Sequence, residues 1–74
     1  MVIELGNPFY LHEGKQCWTA TAGDRYDVTG MDRNGKRFSM QYKDWRYASQ
    51  INVWRGSYWL VRGGKRWLIN RVYN

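Results

Sequence analysis

Short runs in which apolar and polar residues alternate with a period of two fill much of the chain. Each run is bounded by Gly, Asn, Asp or Pro, which is the pattern of β-strands joined by tight turns. The firmest turn signal is Asn34-Gly35, because both central positions of a type I′ turn need positive φ and these two residues tolerate it. A two-residue loop there places Asp32 opposite Arg37, Met31 opposite Phe38, Thr29 opposite Met40 and Asp27 opposite Tyr42. One face of the hairpin is then Thr29, Met31, Phe38, Met40 and Tyr42, expected in the core. The other is Tyr26, Val28, Gly30, Asp32, Arg37, Ser39 and Gln41, expected in solvent.

Gly63-Gly64 predicts a second hairpin, with Val61 opposite Arg66, Leu60 opposite Trp67, Trp59 opposite Leu68 and Tyr58 opposite Ile69. Trp59, Val61, Leu68 and Val72 share one face with Arg66; Tyr58, Leu60, Trp67, Ile69 and Tyr73 share the other with Arg62, Lys65 and Arg71. A hairpin apolar on both sides is either central in a closed or two-layer structure, or shows an aromatic face to a partner. Met31, Phe38, Met40, Trp59, Val61 and Leu68 are expected to lie in one core. Leu60, Trp67 and Ile69 are also read as core rather than surface, since so small a domain has little apolar area to spare. Tyr58, Tyr73 and the arginines are expected to be exposed.

Upstream, INVW at 51–54 reads as a strand joined to SYWLVR through Arg55-Gly56. KDWRYASQ is too short and polar for a long helix, but Asp44 can cap one helical turn that tucks Trp45 or Tyr47 against the end of the sheet. CWTATA at 17–22 is strand-like, and VIEL is a short strand stopped by Gly6-Asn7-Pro8. The whole, residues 1–74, reads as one all-β, mainly antiparallel domain: a small five- to six-stranded SH3-like barrel or a curved sheet, with one short helical turn. Residues 17–70 resemble SH3-like barrels, in which a short 3₁₀ turn precedes a late strand, and less closely a compact OB-fold. The ALYDY-type segment of peptide-binding SH3 domains is missing, so the resemblance does not extend to proline-rich ligands. In size and charge the chain is also similar to small chromatin-type barrels that bind DNA with a sheet face. Those are lysine-rich, whereas the basic half here carries seven Arg and three Lys.

Composition narrows the chemistry. Thirteen of the 74 residues are Phe, Trp or Tyr, which lets a short chain build a core without staples. Cys17 is the lone cysteine and His12 the lone histidine, so neither an internal disulfide nor a structural zinc is expected. There is no apolar run of signal-peptide or membrane-spanning length, and the expectation is a cytoplasmic protein that does not use a membrane. His12 and Cys17 are five apart, with no orienting third group for a nucleophile pair. Glu4 with Glu13, or Asp24 with Asp27, are more economically read as turn formers than as an acid/base pair. Gly63-Gly64-Lys65 lacks the spacing of a P-loop, and Arg62-Gly63-Gly64 is one triplet that hairpin geometry explains. No enzyme and no cofactor are expected.

Charge gives the functional lead. Residues 1–30 carry two cations against four carboxylates, and residues 31–74 carry ten against two. Clustered positive charge speeds encounter with anions and gains free energy from counterion release on nucleic acid. Arginine donates in two directions to phosphate, and aromatic rings stack on exposed bases. The residues expected to bind are Arg55, Tyr58, Arg62, Lys65, Arg71 and Tyr73 around the last hairpin, with Arg33, Lys36, Arg37, Lys43 and Arg46 around the Asn-Gly hairpin. If both hairpins point the same way, the two clusters merge into one groove. The favoured partner is therefore a nucleic acid, DNA or RNA, single or double stranded. The alternative is an acidic protein surface gripped by the same Arg, Trp and Tyr side chains, as in a small phage or mobile-element accessory protein that inhibits a host protein. Pairing of the last hairpin with a second copy, giving a homodimer, is a third.

Overall fold

A computed structural model describes residues 2–12 and 16–74. Along the chain run β1 (Pro8–Tyr10), β2 (Cys17–Thr19), β3 (Arg25–Met31), β4 (Arg37–Tyr42), α1 (Trp45–Ala48), β5 (Arg55–Arg62) and β6 (Lys65–Val72). Every strand pairing is antiparallel. The strands form two sheets, a ribbon β1-β2 and a four-stranded sheet in the order β4-β3-β5-β6. The class is all-β as expected, but the four-stranded sheet is open, with β4 and β6 at its edges, and no closed barrel forms among the described residues. Glu13 lies outside the described residues.

The core lies between one face of the four-stranded sheet and a second layer made of the ribbon, the N-terminal segment and α1. Val28, Tyr26, Leu60, Tyr58 and Ile69 from the sheet are buried against Ile3, Phe9, Leu11, Ala20, Trp45, Ala48 and Val53. Trp45 sits edge-on to Tyr26 and Tyr58, with ring centroids 5.7 and 5.4 Å away. The helical turn that carries it is capped as its sequence predicts: the Asp44 side chain accepts the Arg46 N–H. Trp45 is buried, whereas Tyr47 points to solvent.

Two registers decide which face is inside, and the first departs from expectation. The β3-β4 loop has three residues rather than two. Asp32 and Lys36 close it, and Gly35 adopts φ +80°, the left-handed position of a turn followed by a bulge. The Asp32 carboxylate selects this loop by accepting the backbone N–H groups of Asn34 and Lys36 at 2.9 and 3.0 Å. Met31 therefore faces Arg37, Gly30 faces Phe38, Val28 faces Met40 and Tyr26 faces Tyr42. A slip of one residue inverts β3, so Tyr26 and Val28 point inward and Thr29 and Met31 outward.

The β5-β6 hairpin keeps the expected register from its tip to Trp59 opposite Leu68, and then shifts. Ile69 is an extra residue, leaving Tyr58 opposite Asn70. The bulge keeps Ile69 in the core, turns Val72 inward, and carries Arg71 to the side of Trp59. Of the six residues expected to share a core, only Phe38 packs on it. Met40 is exposed, and Met31, Trp59, Val61 and Leu68 lie on the opposite face.

Two further expectations fail for local reasons. VIEL forms no strand; Ile3 anchors in the core, and the first strand is instead Pro8–Tyr10, where proline at the opening position needs no N–H. INVW is not a strand, and Arg55-Gly56 is not a turn but the start of β5. Gly56 pairs with Gly30, and a Cβ on either would collide with the backbone of the other strand. The glycines are there for close approach.

Candidate functional site

Among the described residues no element covers the outer face of the four-stranded sheet, and the register fixes what it displays. β3 contributes Arg25, Asp27, Thr29 and Met31; β4 contributes Arg37, Ser39 and Gln41. β5 contributes Arg55, Ser57, Trp59 and Val61, and β6 contributes Arg66, Leu68 and Arg71. Five arginines thus share a face with a single carboxylate, Asp27. Three inter-strand spacings make this face about 14 Å wide, and six residues along β5 make it about 20 Å long.

At its centre the side chains hold one another. The Trp59 indole N–H donates to the Thr29 hydroxyl at 3.2 Å. The Arg66 guanidinium lies 4.5 Å from the Trp59 ring centroid and 3.5 Å from the Asp27 carboxylate. Asp27 also accepts from the Gln41 amide at 2.9 Å. Towards the other end, Arg55, Ser57, Arg71 and Tyr73 line an open cavity of about 320 Å³. Arg71 donates to the Tyr73 hydroxyl at 2.9 Å, and Arg55 donates to the Asn74 carbonyl. No side-chain carboxylate among the described residues pairs with Arg37, Arg55 or Arg71, although Arg55 is held by the Asn74 main-chain oxygen and lies 4.3 Å from the Trp54 ring centroid.

The residues expected to bind from sequence are scattered by this geometry. Arg37, Arg55 and Arg71 are on the outer face, with Tyr73 exposed beside Arg71. Arg33 and Lys36 are exposed at the β3-β4 tip and Lys65 at the β5-β6 tip. β3 and β5 are antiparallel neighbours, so the two tips lie at opposite ends of the sheet and do not merge into one groove. Lys43 precedes the α1 turn and Arg46 lies within it, held by Asp44 at 3.3 Å.

Two residues are corrected outright. Tyr58 is buried, its hydroxyl donating to the Ile51 carbonyl at 3.2 Å, and burial pushes its phenol above the ordinary range. Arg62 is a structural cation rather than a free one. It grips Asp24 with two nitrogens at 2.7 and 2.8 Å, donates to the Thr19 carbonyl, and lies 4.8 Å from the Trp18 ring centroid. Trp18 in turn packs tilted against Trp67, ring centroids 4.8 Å apart, which places Trp67 at the edge of the core.

Sequence reasoning missed Arg25, Trp59 and Arg66. The signal for the last two was present in the Gly63-Gly64 register, which puts Arg66 beside Trp59. Summed apolar volume then favours Tyr58, Leu60, Trp67 and Ile69 as the buried set. No protein family, curated protein or solved structure matches the chain.

Proposed function

We propose that the chain binds nucleic acid through the outer face of its four-stranded sheet. The observation that carries this reading is five arginines and a half-exposed tryptophan on one uncovered face with a single carboxylate. Guanidinium forks suit phosphate oxygens, and neutralising several phosphates releases counterions. A surface built only for solubility would intersperse charges of both signs. Within this proposal the fold is an opened relative of the SH3-like layout, supported by the helical turn α1 that precedes the last hairpin.

By charge alone the same face fits an acidic protein surface, and oligonucleotide binding separates the two readings. Micromolar protein at low salt should retard labelled oligonucleotides in a native gel, with retardation abolished as salt rises. Absence of retardation with single-stranded and duplex DNA and RNA alike would overturn the nucleic-acid reading in favour of a protein partner.

A further inference from the structure

Resting on the reading just given, we propose that the outer face takes single strands in preference to duplex. The Trp59–Arg66 pair is its base-stacking platform, and the Arg55–Ser57–Arg71–Tyr73 cavity is the adjoining phosphate seat. The platform is in place before any ligand arrives. Arg66 reaches from β6 across β5 to Asp27 on β3, which sets its guanidinium over the Trp59 ring, while Thr29 holds the indole N–H. Two planar groups fixed in this way lose little freedom on binding. The Arg66 side chain is 48 % exposed, so a base has a guanidinium plane to stack on directly.

The cavity begins at Ser57, two residues from Trp59 and therefore about 7 Å along the strand. That is within the reach of one nucleotide, from a base on the platform to its own backbone. Ser57 is opposite Arg71 in the register, and Arg71 is steadied by the Tyr73 hydroxyl, so a hydroxyl and two guanidinium groups line the cavity, with the Asn74 main-chain oxygen, which accepts from Arg55, as the group a phosphate would displace. Chemistry of this kind recognises a phosphodiester.

Duplex fits the same surface poorly. A face about 14 Å wide enters neither groove of B-DNA, at about 12 Å and 6 Å, unless the duplex is deformed. Trp59 is half-buried and tethered, so it does not project as the wedge that minor-groove proteins insert between base steps. Only unpaired bases offer faces to the platform.

Fluorescence anisotropy with labelled oligo-dT, oligo-U and a mixed-sequence duplex of equal length, at about 50 mM salt, tests the assignment. At least one single strand should bind about tenfold or more tightly than the duplex. Trp59→Leu should weaken single-strand binding about 5-fold or more, because the Arg66 guanidinium loses the ring that backs it, and leave duplex binding within about twofold. Trp59→Phe should stay close to the parent, because a ring remains to stack even though the Thr29 bond is gone. Arg66→Gln supplies a second variant that leaves the indole in place, and it should weaken single-strand binding without altering the melting temperature of the protein. Equal or tighter duplex binding would overturn the proposal, as would equal losses in Trp59→Leu and Trp59→Phe. In both cases nucleic-acid binding itself would stand. Failure of every oligonucleotide to bind would remove the nucleic-acid reading and this one with it.

Discussion

Asp24 is 1 % exposed, and its charge is kept by the company it has. Burial alone would raise its pKa; the hydrogen bonds from Arg62, and then those from the Thr21 N–H and hydroxyl, outweigh burial and hold the carboxyl below its ordinary 3.8. The Arg62 guanidinium is correspondingly raised by the same bonds. A carboxyl depressed in the folded state stabilises fully above its unfolded pKa, and that contribution is lost as pH falls through the folded value. Melting curves at successive pH values below about 4 should therefore show an acid-side loss in the parent that is missing in Asp24→Asn. At pH 7 the same substitution should cost about 2–4 kcal/mol, somewhat less than breaking a fully buried pair because Arg62 keeps access to water. Nothing in the local sequence announces this pair, since Asp24 and Arg62 are 38 residues apart and meet only through the fold.

At the scale of the element, the β3-β4 hairpin shows how a turn sets a face. Asn34-Gly35 favours a two-residue loop, but Asp32 offers its carboxylate to two backbone N–H groups and draws the chain into a three-residue loop. Asp32→Ala removes both acceptors and should destabilise the protein by about 1–2 kcal/mol in urea titration, the scale of a pair of exposed hydrogen bonds. The two hairpins and the single helical turn were legible in alternation, turn residues and the Asp44 cap, and Leu60 and Ile69 are buried as read; the opening strand and the inward side of β3 were not. A shift of one residue in the loop, or one extra residue such as Ile69, reverses a face without changing composition. The corrected faces predict that Leu60→Ala costs about 2–5 kcal/mol, while Leu68→Ala, on the uncovered side, costs about 1 kcal/mol or less. Comparable losses for the two leucines would contradict the assignment.

At the scale of the molecule, the basic half of the chain is spread over several places rather than gathered into one groove. Arg33 and Lys36 end one hairpin, Lys65 ends the other, and the arginines between them line the open sheet. The asymmetry of charge was visible in the sequence. Its division into an open sheet face, two distant tips, the α1 turn and the Arg62–Asp24 pair depends on the strand order β4-β3-β5-β6, which no local pattern encodes. That division makes the central claim separable from a general effect of positive charge. The most direct measurement is the dependence of single-strand affinity on salt for two triple variants with the same loss of charge. One replaces Arg37, Arg55 and Arg71 on the outer face by Gln; the other replaces Arg33, Lys36 and Lys65 at the tips. Each phosphate contact contributes about −0.7 to the slope of log affinity against log salt on single strands, so the outer-face variant should flatten the slope by about two units and the tip variant by much less. A slope flattened by the tip variant and untouched by the outer-face variant would contradict the assignment of the interface to the open face of the sheet.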